Sequence, residues 1–293
     1  MVAHNGAGVA AGDVNGDGFD DVIVGAPLYD LISTSGAGAA FVFLGGLTGI
    51  ADAEVSNAAS RLYGDIDFAS LGERVADGGD LDGDGFAEVV IASHRWAYVF
   101  HGGVGGVATV GYPSTADAKI EVFDGTQFNG NAAWSVDAIG DANGDGFGDL
   151  IIGSRGYSAG ENQEGVAWLL LGAPSGVVSG GPGDVDLQIE SDQAGAWFGH
   201  SVAGVGDVDG DGFGDVLVGS LRYEHDVGED GATFLYRGSG EVGTSARLQQ
   251  FRIGAGDGPV EAGAAVFGTD RFGIRSFVDG TMAPGRAKLE VEL

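Results

Sequence analysis

Short apolar runs recur along this chain and define its predicted strands. Four of them, at residues 22–24, 89–91, 150–152 and 216–218, consist of valine, isoleucine and leucine. Each run follows an acidic, glycine-rich segment and is closed by glycine or alanine. Short apolar runs that are bounded by turn-forming residues are typical of buried strands. The pattern therefore predicts an all-β protein.

Each apolar run lies in a unit with the same order of elements. A short strand precedes the acidic segment, the apolar run follows it, and a third and a weaker fourth strand come after a variable loop. Such a repeated four-strand unit favours a β-propeller or another stacked array. The predicted strands are residues 8–10, 75–76, 135–137 and 201–203 at the first position, residues 40–44, 97–100, 167–171 and 232–236 at the third, and residues 119–123, 185–189 and 247–251 at the fourth.

The acidic segment is a loop of nine residues that occurs four times. We number these acidic loops 1 to 4, at residues 13–21, 80–88, 141–149 and 207–215. Positions 1, 5 and 9 always carry a carboxylate, position 3 carries aspartate or asparagine, and positions 4 and 6 are always glycine. The loops begin 67, 61 and 66 residues apart, which leaves room for about four short strands with their turns.

The spacing within an acidic loop can bring oxygen atoms together around one hard cation. Side chains at positions 1, 3 and 5, the carbonyl at position 7 and the carboxylate at position 9 suit calcium. Glycine at positions 4 and 6 permits the positive φ values that turn the chain around the ion. The loops contain neither sulfur nor imidazole, which disfavours zinc and copper. The predicted ligands of up to four calcium ions are Asp13, Asn15, Asp17, Phe19, Asp21, Asp80, Asp82, Asp84, Phe86, Glu88, Asp141, Asn143, Asp145, Phe147, Asp149, Asp207, Asp209, Asp211, Phe213 and Asp215.

These loops differ from the calcium loop that joins two helices. That loop shares positions 1, 3, 5 and the glycine at 6, but it requires glutamate at position 12. Position 12 here is apolar in every copy, and it lies inside the predicted strand that follows. The acidic loops are therefore predicted to connect strands, and a helical calcium sensor is not expected.

The repeats resemble the FG-GAP repeats of integrin α-subunit propellers and their bacterial relatives. The resemblance is carried by Phe198-Gly199, by the Gly-Asp-Val-Asn-Gly-Asp-Gly type of loop, and by the Val-Gly-Ala-Pro segment at residues 24–27. It implies blades of four antiparallel strands, with a calcium loop between the first and second strands of each blade. The second copy departs from this pattern, because Phe68 is followed by alanine and its acidic loop ends in Glu88. The first and third copies lack the Phe-Gly pair.

The resemblance covers residues 1–253, which we divide into repeats at about 6–67, 68–130, 131–196 and 197–253. Residues 254–293 contain no acidic loop, and their alternating pattern predicts two strands. We interpret this tail as a degenerate fifth blade or the start of a β-sandwich. Family propellers usually close with seven blades, so the chain is expected to be a partial propeller from a longer, multidomain protein.

Composition limits the classes of partner. The formal net charge is -30, which disfavours nucleic acid and anionic membranes. No apolar run is long enough to cross a bilayer. Cysteine is absent, so metal ions are the available cross-links. The family and the weak calcium sites lead us to expect an extracellular or cell-surface location, although residues 1–6 lack the features of a signal peptide.

A second repeated pattern follows the apolar runs. An aromatic residue comes four positions after the residue that closes each run, and arginine accompanies three of these aromatics. Such groups on one face would suit an acidic peptide or a glycan. Alternatively, each aromatic packs against a blade and each arginine pairs with a nearby carboxylate such as Asp30, Glu161 or Asp226. The candidate ligand-binding residues are Tyr29, Arg95, Trp96, Arg155, Tyr157, Arg222 and Tyr223.

Two classes of function remain open on the sequence alone. The favoured hypothesis is a calcium-binding extracellular adhesion or interaction module, in which calcium staples the loops and the opposite face binds a protein or glycan. The alternative is a propeller enzyme, or the accessory domain of an enzyme, that degrades polysaccharides. No catalytic constellation stands out, and Gly199-His-Ser-Val-Ala-Gly204 misses the spacing of a nucleophile elbow by one residue. We therefore predict that the chain is not an enzyme, with His94 and His200 as the histidines to test.

Overall fold

A computed structural model describes residues 8–31, 34–50, 54–66, 69–122, 135–225, 228–229, 231–239 and 249–253. The predicted strands of the tail at 254–293 and the predicted Phe68 motif lie outside the described residues. Within the described ranges the chain is almost entirely β, with two single 3₁₀ turns at Val55–Asn57 and Pro113–Thr115. None of its described helices is long and apolar enough to span a membrane.

The strands form four antiparallel sheets, which we number 1 to 4 in chain order. Each sheet has four strands, called a to d, that pair in the order in which they follow one another along the chain. Sheet 1 consists of Val9–Gly12, Asp21–Ala26, Ala39–Phe43 and Ser60–Tyr63, and sheet 2 of Arg74–Asp77, Val89–Ala92, Trp96–Phe100 and Ala118–Glu121. Sheet 3 consists of Ser135–Gly140, Asp149–Ser154, Val166–Leu170 and Leu187–Glu190, and sheet 4 of Phe198–Gly206, Asp215–Ser220, Ala232–Arg237 and Gln249–Ile253.

These sheets confirm the predicted all-β fold with blades of four antiparallel strands. Two small additions extend it. Val110–Gly111 pairs in parallel with strand d of sheet 1, and Glu224–His225 forms a two-residue ladder with Gly228–Glu229. Strand d begins one residue before its predicted position in sheet 2 and two residues after it in sheets 3 and 4. In sheet 3 the carboxylate of Asp186 accepts the Leu171 N–H at 2.8 Å, so the strand starts only at Leu187.

The sheets pack face to face, which explains why the three residues of strand b that follow each acidic loop are all apolar. In sheet 3, Leu150 and Ile152 pack against sheet 2, whereas Ile151 packs against sheet 4. Sheet 2 behaves in the same way, since Val90 faces sheet 3 and Ile91 faces sheet 1. Alternate residues of a strand point to opposite faces, so a strand that is buried on both faces must be apolar throughout.

Each a strand contacts the a strand of the next sheet, so the a strands lie on the inner side of the array. All four acidic loops connect strand a to strand b. They therefore lie at the same end of their sheets. The segments that leave strand b, including the aromatic and arginine positions, lie at the opposite end. The fold thus separates the two repeated sequence patterns onto two faces.

Successive acidic loops also lock together. The ring of Phe213 at position 7 of loop 4 lies over Gly144 at position 4 of loop 3, where an added Cβ would approach the ring to 2.5 Å. The same contact places Phe147 over Gly83 and Phe86 over Gly16, each at 2.8 Å. Backbone hydrogen bonds also join each of these pairs of successive loops. The N–H at position 8 of one loop donates to the carbonyl at position 1 of the preceding loop. These bonds are Ala87 to Asp13 at 3.0 Å, Gly148 to Asp80 at 2.7 Å and Gly214 to Asp141 at 2.8 Å.

Gly144→Ala is expected to destabilise the fold more than Gly146→Ala. Both glycines have positive φ, 79° and 93°, so alanine costs about 1–2 kcal/mol of backbone strain at either position. Only at Gly144 does the new methyl group meet Phe213, because no atom of the described residues lies within 4 Å of the methyl position at Gly146. Overpacking of that kind costs about a further 1–3 kcal/mol. Urea unfolding in EDTA measures the difference without any contribution from metal, and equal losses would contradict the interlocking contact.

Candidate metal sites in the acidic loops

The side chains at positions 1, 3 and 5 organise each acidic loop from within. In loop 1, the carboxylate of Asp13 accepts the N–H groups of Asp17 and Gly18 at 3.0 and 2.8 Å. The Asn15 side-chain oxygen accepts the Asp17 N–H at 3.0 Å, and Asp17 in turn accepts the Phe19 N–H at 3.0 Å. Loops 2, 3 and 4 repeat these bonds from positions 1, 3 and 5. The oxygen atoms therefore line the inside of one turn in every copy.

The carboxylate at position 9 is fully buried and joins the loop to its own sheet. In loop 3, one oxygen of Asp149 accepts the N–H of Ala142 at 2.8 Å, and the other accepts the N–H of Gly172, just after strand c, at 2.9 Å. Loops 1 and 4 have the same two bonds. Their distances are 3.0 Å from Val14 and 2.7 Å from Gly45 to Asp21, and 2.8 Å from Val208 and 2.9 Å from Gly238 to Asp215. Position 9 is therefore both a candidate ligand and a structural anchor.

Burial makes these carboxylates unfavourable as isolated charges. It raises the pKa of Asp149 to about 7, with Asp145 and Asp141 adding repulsion. The pKa of Glu88 in loop 2 rises to about 8, again mainly through burial. Asp21 and Asp215 shift in the same direction and for the same main reason. A divalent cation among these groups would offset the cost of keeping them ionised.

Within the described residues, three groups of side chains have potential ligand atoms within 4.8 Å of one another. Two consist of carboxylates alone: Asp80, Asp82 and Asp84 in loop 2, and Asp207, Asp209 and Asp215 in loop 4. All-oxygen donors of this kind fit calcium or magnesium better than softer metals. The third group adds a histidine to loop 2, and consists of Asp82, Glu88 and His101.

One residue of these sites, at the end of strand c or immediately after it, was not predicted from the sequence. In loop 4 that residue is Arg237, whose guanidinium lies 2.9 Å from the carboxylate of Asp209 at position 3. In loop 2 it is His101, whose Nδ1 lies 3.2 Å from Asp82, again at position 3. Loops 1 and 3 have leucine after strand c, and asparagine at position 3. A basic residue thus accompanies aspartate, and leucine accompanies asparagine; this pairing is visible in the sequence once the four copies are aligned.

At the opposite end of the sheets, the predicted tyrosines pack against the blades. Tyr157 contacts Trp168 edge-on at 4.9 Å, Tyr223 contacts Phe234 at 5.3 Å, and Tyr29 contacts Phe41 at 5.4 Å. All three rings are only partly exposed. The packing alternative therefore describes these rings well.

Two of the predicted arginines lie against one aromatic ring. The guanidinium groups of Arg155 and Arg222 lie 4.8 and 4.4 Å from the centroid of Trp197. Burial and the neighbouring Arg74 lower the pKa of Arg155. Burial, Arg155 and Arg74 also lower the pKa of His200. The structure thus brings together a basic cluster around Trp197 on a strongly acidic protein.

Sheet 2 carries a second aromatic and basic group on the same face. Lys119 Nζ lies 3.9 Å from the ring centroid of Trp96, and Arg95 lies 5.4 Å from it. Arg95 also forms an ion pair with Glu121. His94 Nε2 lies 3.3 Å from Glu73. Of the seven candidate ligand residues, Arg95 therefore lies beside Trp96, and Arg155 lies near Arg222.

Sheet 3 has a pair of buried acidic side chains on this face, Glu164 and Glu190. Their burial predicts that the stability of the fold depends on pH. Burial, with help from Glu164, raises the pKa of Glu190 to about 7. A raised folded-state pKa favours the protonated form, so this group's contribution to stability is lost as pH rises from about 4.5 to about 7. Glu190→Gln should therefore gain stability over the wild type at pH 8 but not at pH 4. Urea unfolding in millimolar calcium measures this, and parallel pH profiles would contradict it.

Comparison with known proteins agrees with the repeat structure. The model of the FG-GAP repeat family matches residues 5–43, 132–170 and 198–236. These segments contain strands a to c of sheets 1, 3 and 4, together with their acidic loops. Sheet 2, which contains Glu88 and His101, is not among the matched segments. The chain therefore carries FG-GAP repeats, and its divergent copy is the second.

Curated relatives include integrin α-subunits. Integrin alpha-4 of Xenopus laevis is 31% identical over 162 residues, which is 52% of this chain and 14% of that protein. Integrin alpha-5 of the same species is 27% identical over 252 residues, 85% of this chain and 17% of that protein. The chain thus spans less than a fifth of these relatives. Among solved structures, BBS1N in complex with ARL6DN, soaked with lead, shows a TM-score of 0.44 at 13% identity, covering 90% of this chain and 63% of that one.

Proposed function

Since the chain carries FG-GAP repeats like those of its integrin α-subunit relatives, we propose that it is a calcium-stabilised binding module that acts outside the cell. The observation that carries this proposal is the fourfold oxygen cage of the acidic loops, closed each time by a buried carboxylate at position 9. Calcium supplies the positive charge, and the module supplies a rigid face for a ligand.

Each ion would be held by side-chain oxygens at positions 1, 3, 5 and 9 and by the carbonyl of the phenylalanine at position 7. Loops 1 and 3 offer three carboxylates and one asparagine, whereas loops 2 and 4 offer four carboxylates. Oxygen donors in this number suit calcium, and sites of weak affinity fill at extracellular concentrations. This supports an extracellular or cell-surface location.

The position of the loops supports a structural role for the ions. Loops 2, 3 and 4 each donate to the preceding loop through position 8 and cover its glycine with a phenylalanine ring. An ion that fixes one loop therefore also fixes the surface on which the next sheet packs. Metal binding of this kind is coupled to folding, because the cage does not exist in the unfolded chain.

The opposite face is the proposed ligand site. Arg155, Arg222 and Trp197 form a planar, positively charged surface, and Trp96 with Lys119 forms a smaller one. Guanidinium groups beside a partly exposed indole suit carboxylate or sulfate groups. Among macromolecules outside the cell, an acidic peptide of a partner protein or an acidic glycan would supply them.

Two measurements test the proposal. Equilibrium dialysis with radioactive calcium should count up to four ions per chain, and magnesium at equal concentration should not displace them. Arrays of glycans and of acidic peptides, probed with and without calcium, should then show retention on anionic members. Absence of calcium binding would overturn the proposal.

The same arrays separate binding from catalysis. A module that only binds should leave polysaccharides intact. Release of new reducing or unsaturated ends, reduced in His94→Ala or His200→Ala, would instead favour the enzyme that remained the alternative on the sequence. Neither histidine lies in the acidic loops, so both variants should retain calcium.

A further inference from the structure

Loop 2 differs from the other three acidic loops in how its position 9 is bonded. In loops 1, 3 and 4 an aspartate there accepts one N–H from position 2 and one from the glycine after strand c. In loop 2, Glu88 Oε2 accepts the Leu81 N–H at 2.6 Å, but Oε1 has no hydrogen-bond partner among the residues that the structure describes. Glu88 is 0% exposed. A buried acceptor without a partner is costly, so it points to a missing ligand.

The imidazole of His101 lies next to loop 2, close to Asp82 and Glu88. Asp82, Glu88 and His101 each offer a ligand atom, and these atoms lie within 4.8 Å of one another. His101 Nδ1 is 3.2 Å from Asp82 Oδ2. Two ligands of a tetrahedral zinc ion with bonds of about 2.0–2.2 Å are separated by about 3.4 Å. The imidazole and the Asp82 carboxylate are therefore already spaced as neighbouring ligands of one small ion.

We propose that loop 2 binds a first-row transition-metal ion of the zinc type, through His101 Nδ1, Asp82 and the free oxygen of Glu88, in preference to calcium. This inference rests on the proposed function, because it assigns a different cation to one of the four proposed cation sites. Imidazole nitrogen and carboxylate oxygen are both zinc ligands, whereas imidazole is a poor ligand for calcium. Loops 1, 3 and 4 keep the calcium chemistry.

A simple ion pair between His101 and Asp82 would explain less. In loop 4, Arg237 neutralises Asp209 in that way, and there both oxygens of Asp215 have backbone partners. An imidazolium in loop 2 would neutralise Asp82 but would leave Glu88 Oε1 buried and without a partner. A bound metal ion accounts for the histidine, the aspartate and the orphaned oxygen together.

The chain itself supplies two matched variants for the test. His101→Leu introduces the residue that loops 1 and 3 have at this position, so it should fold. His101→Arg introduces the residue of loop 4, which keeps a positive charge but cannot bind a metal. His94→Gln removes an exposed histidine elsewhere and controls for adventitious binding.

The full chain is titrated with zinc chloride in millimolar calcium, and binding is measured by calorimetry. The absorption of bound cobalt is a second readout. The wild type and His94→Gln should bind one zinc ion with equal affinity, and His101→Leu and His101→Arg should both bind it at least tenfold more weakly. Dialysis should show that zinc displaces one calcium ion at most. Zinc binding that survives in both His101 variants, or its absence from the wild type, would overturn the inference.

The possible results distinguish a failure of the zinc site from a failure of the proposed calcium module. Calcium that binds to a wild type lacking zinc affinity would overturn the zinc site and leave the calcium module intact. Zinc that binds through His101 while loops 1, 3 and 4 bind no calcium would support the zinc site and overturn the calcium module. A variant that keeps its calcium count demonstrates that it has folded.

Discussion

EDTA is expected to lower the thermal unfolding midpoint of this protein by about 20 °C or more relative to saturating calcium. Each independent site filled at 100 times its dissociation constant contributes about 2.7 kcal/mol. Four such sites together match the whole stability of an ordinary domain, about 5–15 kcal/mol. For a chain of this size, 1 kcal/mol corresponds to about 2–4 °C. Differential scanning calorimetry in EDTA and in calcium, titrated from micromolar to millimolar, measures the shift.

Magnesium at the same concentrations is the control for this experiment. It is smaller, demands an octahedral arrangement and loses its water reluctantly, so it should stabilise the protein much less than calcium. Equal stabilisation by both ions would indicate general screening of the negative charge. No dependence on either ion would mean that the aspartates act only as turn formers, and the calcium module would lose its physical basis.

The strands and acidic loops could be predicted from the sequence because their determinants are local. Glycine at positions 4 and 6 has positive φ in all four loops, as in Gly83 at 78° and Gly85 at 90°. The apolar runs of the b strands are residues 22–24 and their equivalents, and those of sheets 2 and 3 are buried between two sheets. Four copies of the same local pattern reinforce one another, so a single irregular copy does not obscure the repeat.

Contacts between repeats could not be predicted from the sequence, because no local sequence rule determines them. The phenylalanine at position 7 was predicted only as a carbonyl ligand, yet Phe213 also covers Gly144 of the preceding loop. Likewise His101 lies 13 residues after the end of loop 2, and only the pairing of strands b and c brings it back to Asp82. Such contacts depend on how the sheets are stacked.

The residues of the proposed ligand face could likewise be predicted only in part from the sequence. Trp197 was not among the predicted residues, because it precedes strand a of sheet 4 rather than following a b strand. Its φ of 57° is unusual for a residue other than glycine, and its indole lies within 5 Å of both the Arg155 and the Arg222 guanidinium groups. Strained backbone of this kind is often found at functional sites. Two of the three predicted arginines therefore converge on an aromatic residue from a different part of the repeat.

Position 9 of an acidic loop has two roles, as a proposed metal ligand and as an anchor that joins the loop to its sheet. Position 5 has only the first of these roles. Asp149 is 0% exposed and accepts two backbone N–H groups. Asp145 at position 5 is exposed and accepts the N–H of Phe147 from within the loop. Both are proposed ligands of the same ion in loop 3. Substituting either should therefore remove one calcium ion from the count.

Asp149→Ala is expected to lose stability even in EDTA, whereas Asp145→Ala should lose it only in calcium. Without Asp149, the N–H groups of Ala142 and Gly172 remain buried and unpaired, at about 1–3 kcal/mol each. Relief of the carboxylate's own burial, which raises its pKa to about 7, offsets part of this cost. We expect a net loss of about 2–4 kcal/mol. Near Asp145, water can replace the lost acceptor. Urea unfolding of both variants in EDTA and in calcium decides the matter; equal stabilities of the two in EDTA would show that position 9 is a ligand and not an anchor.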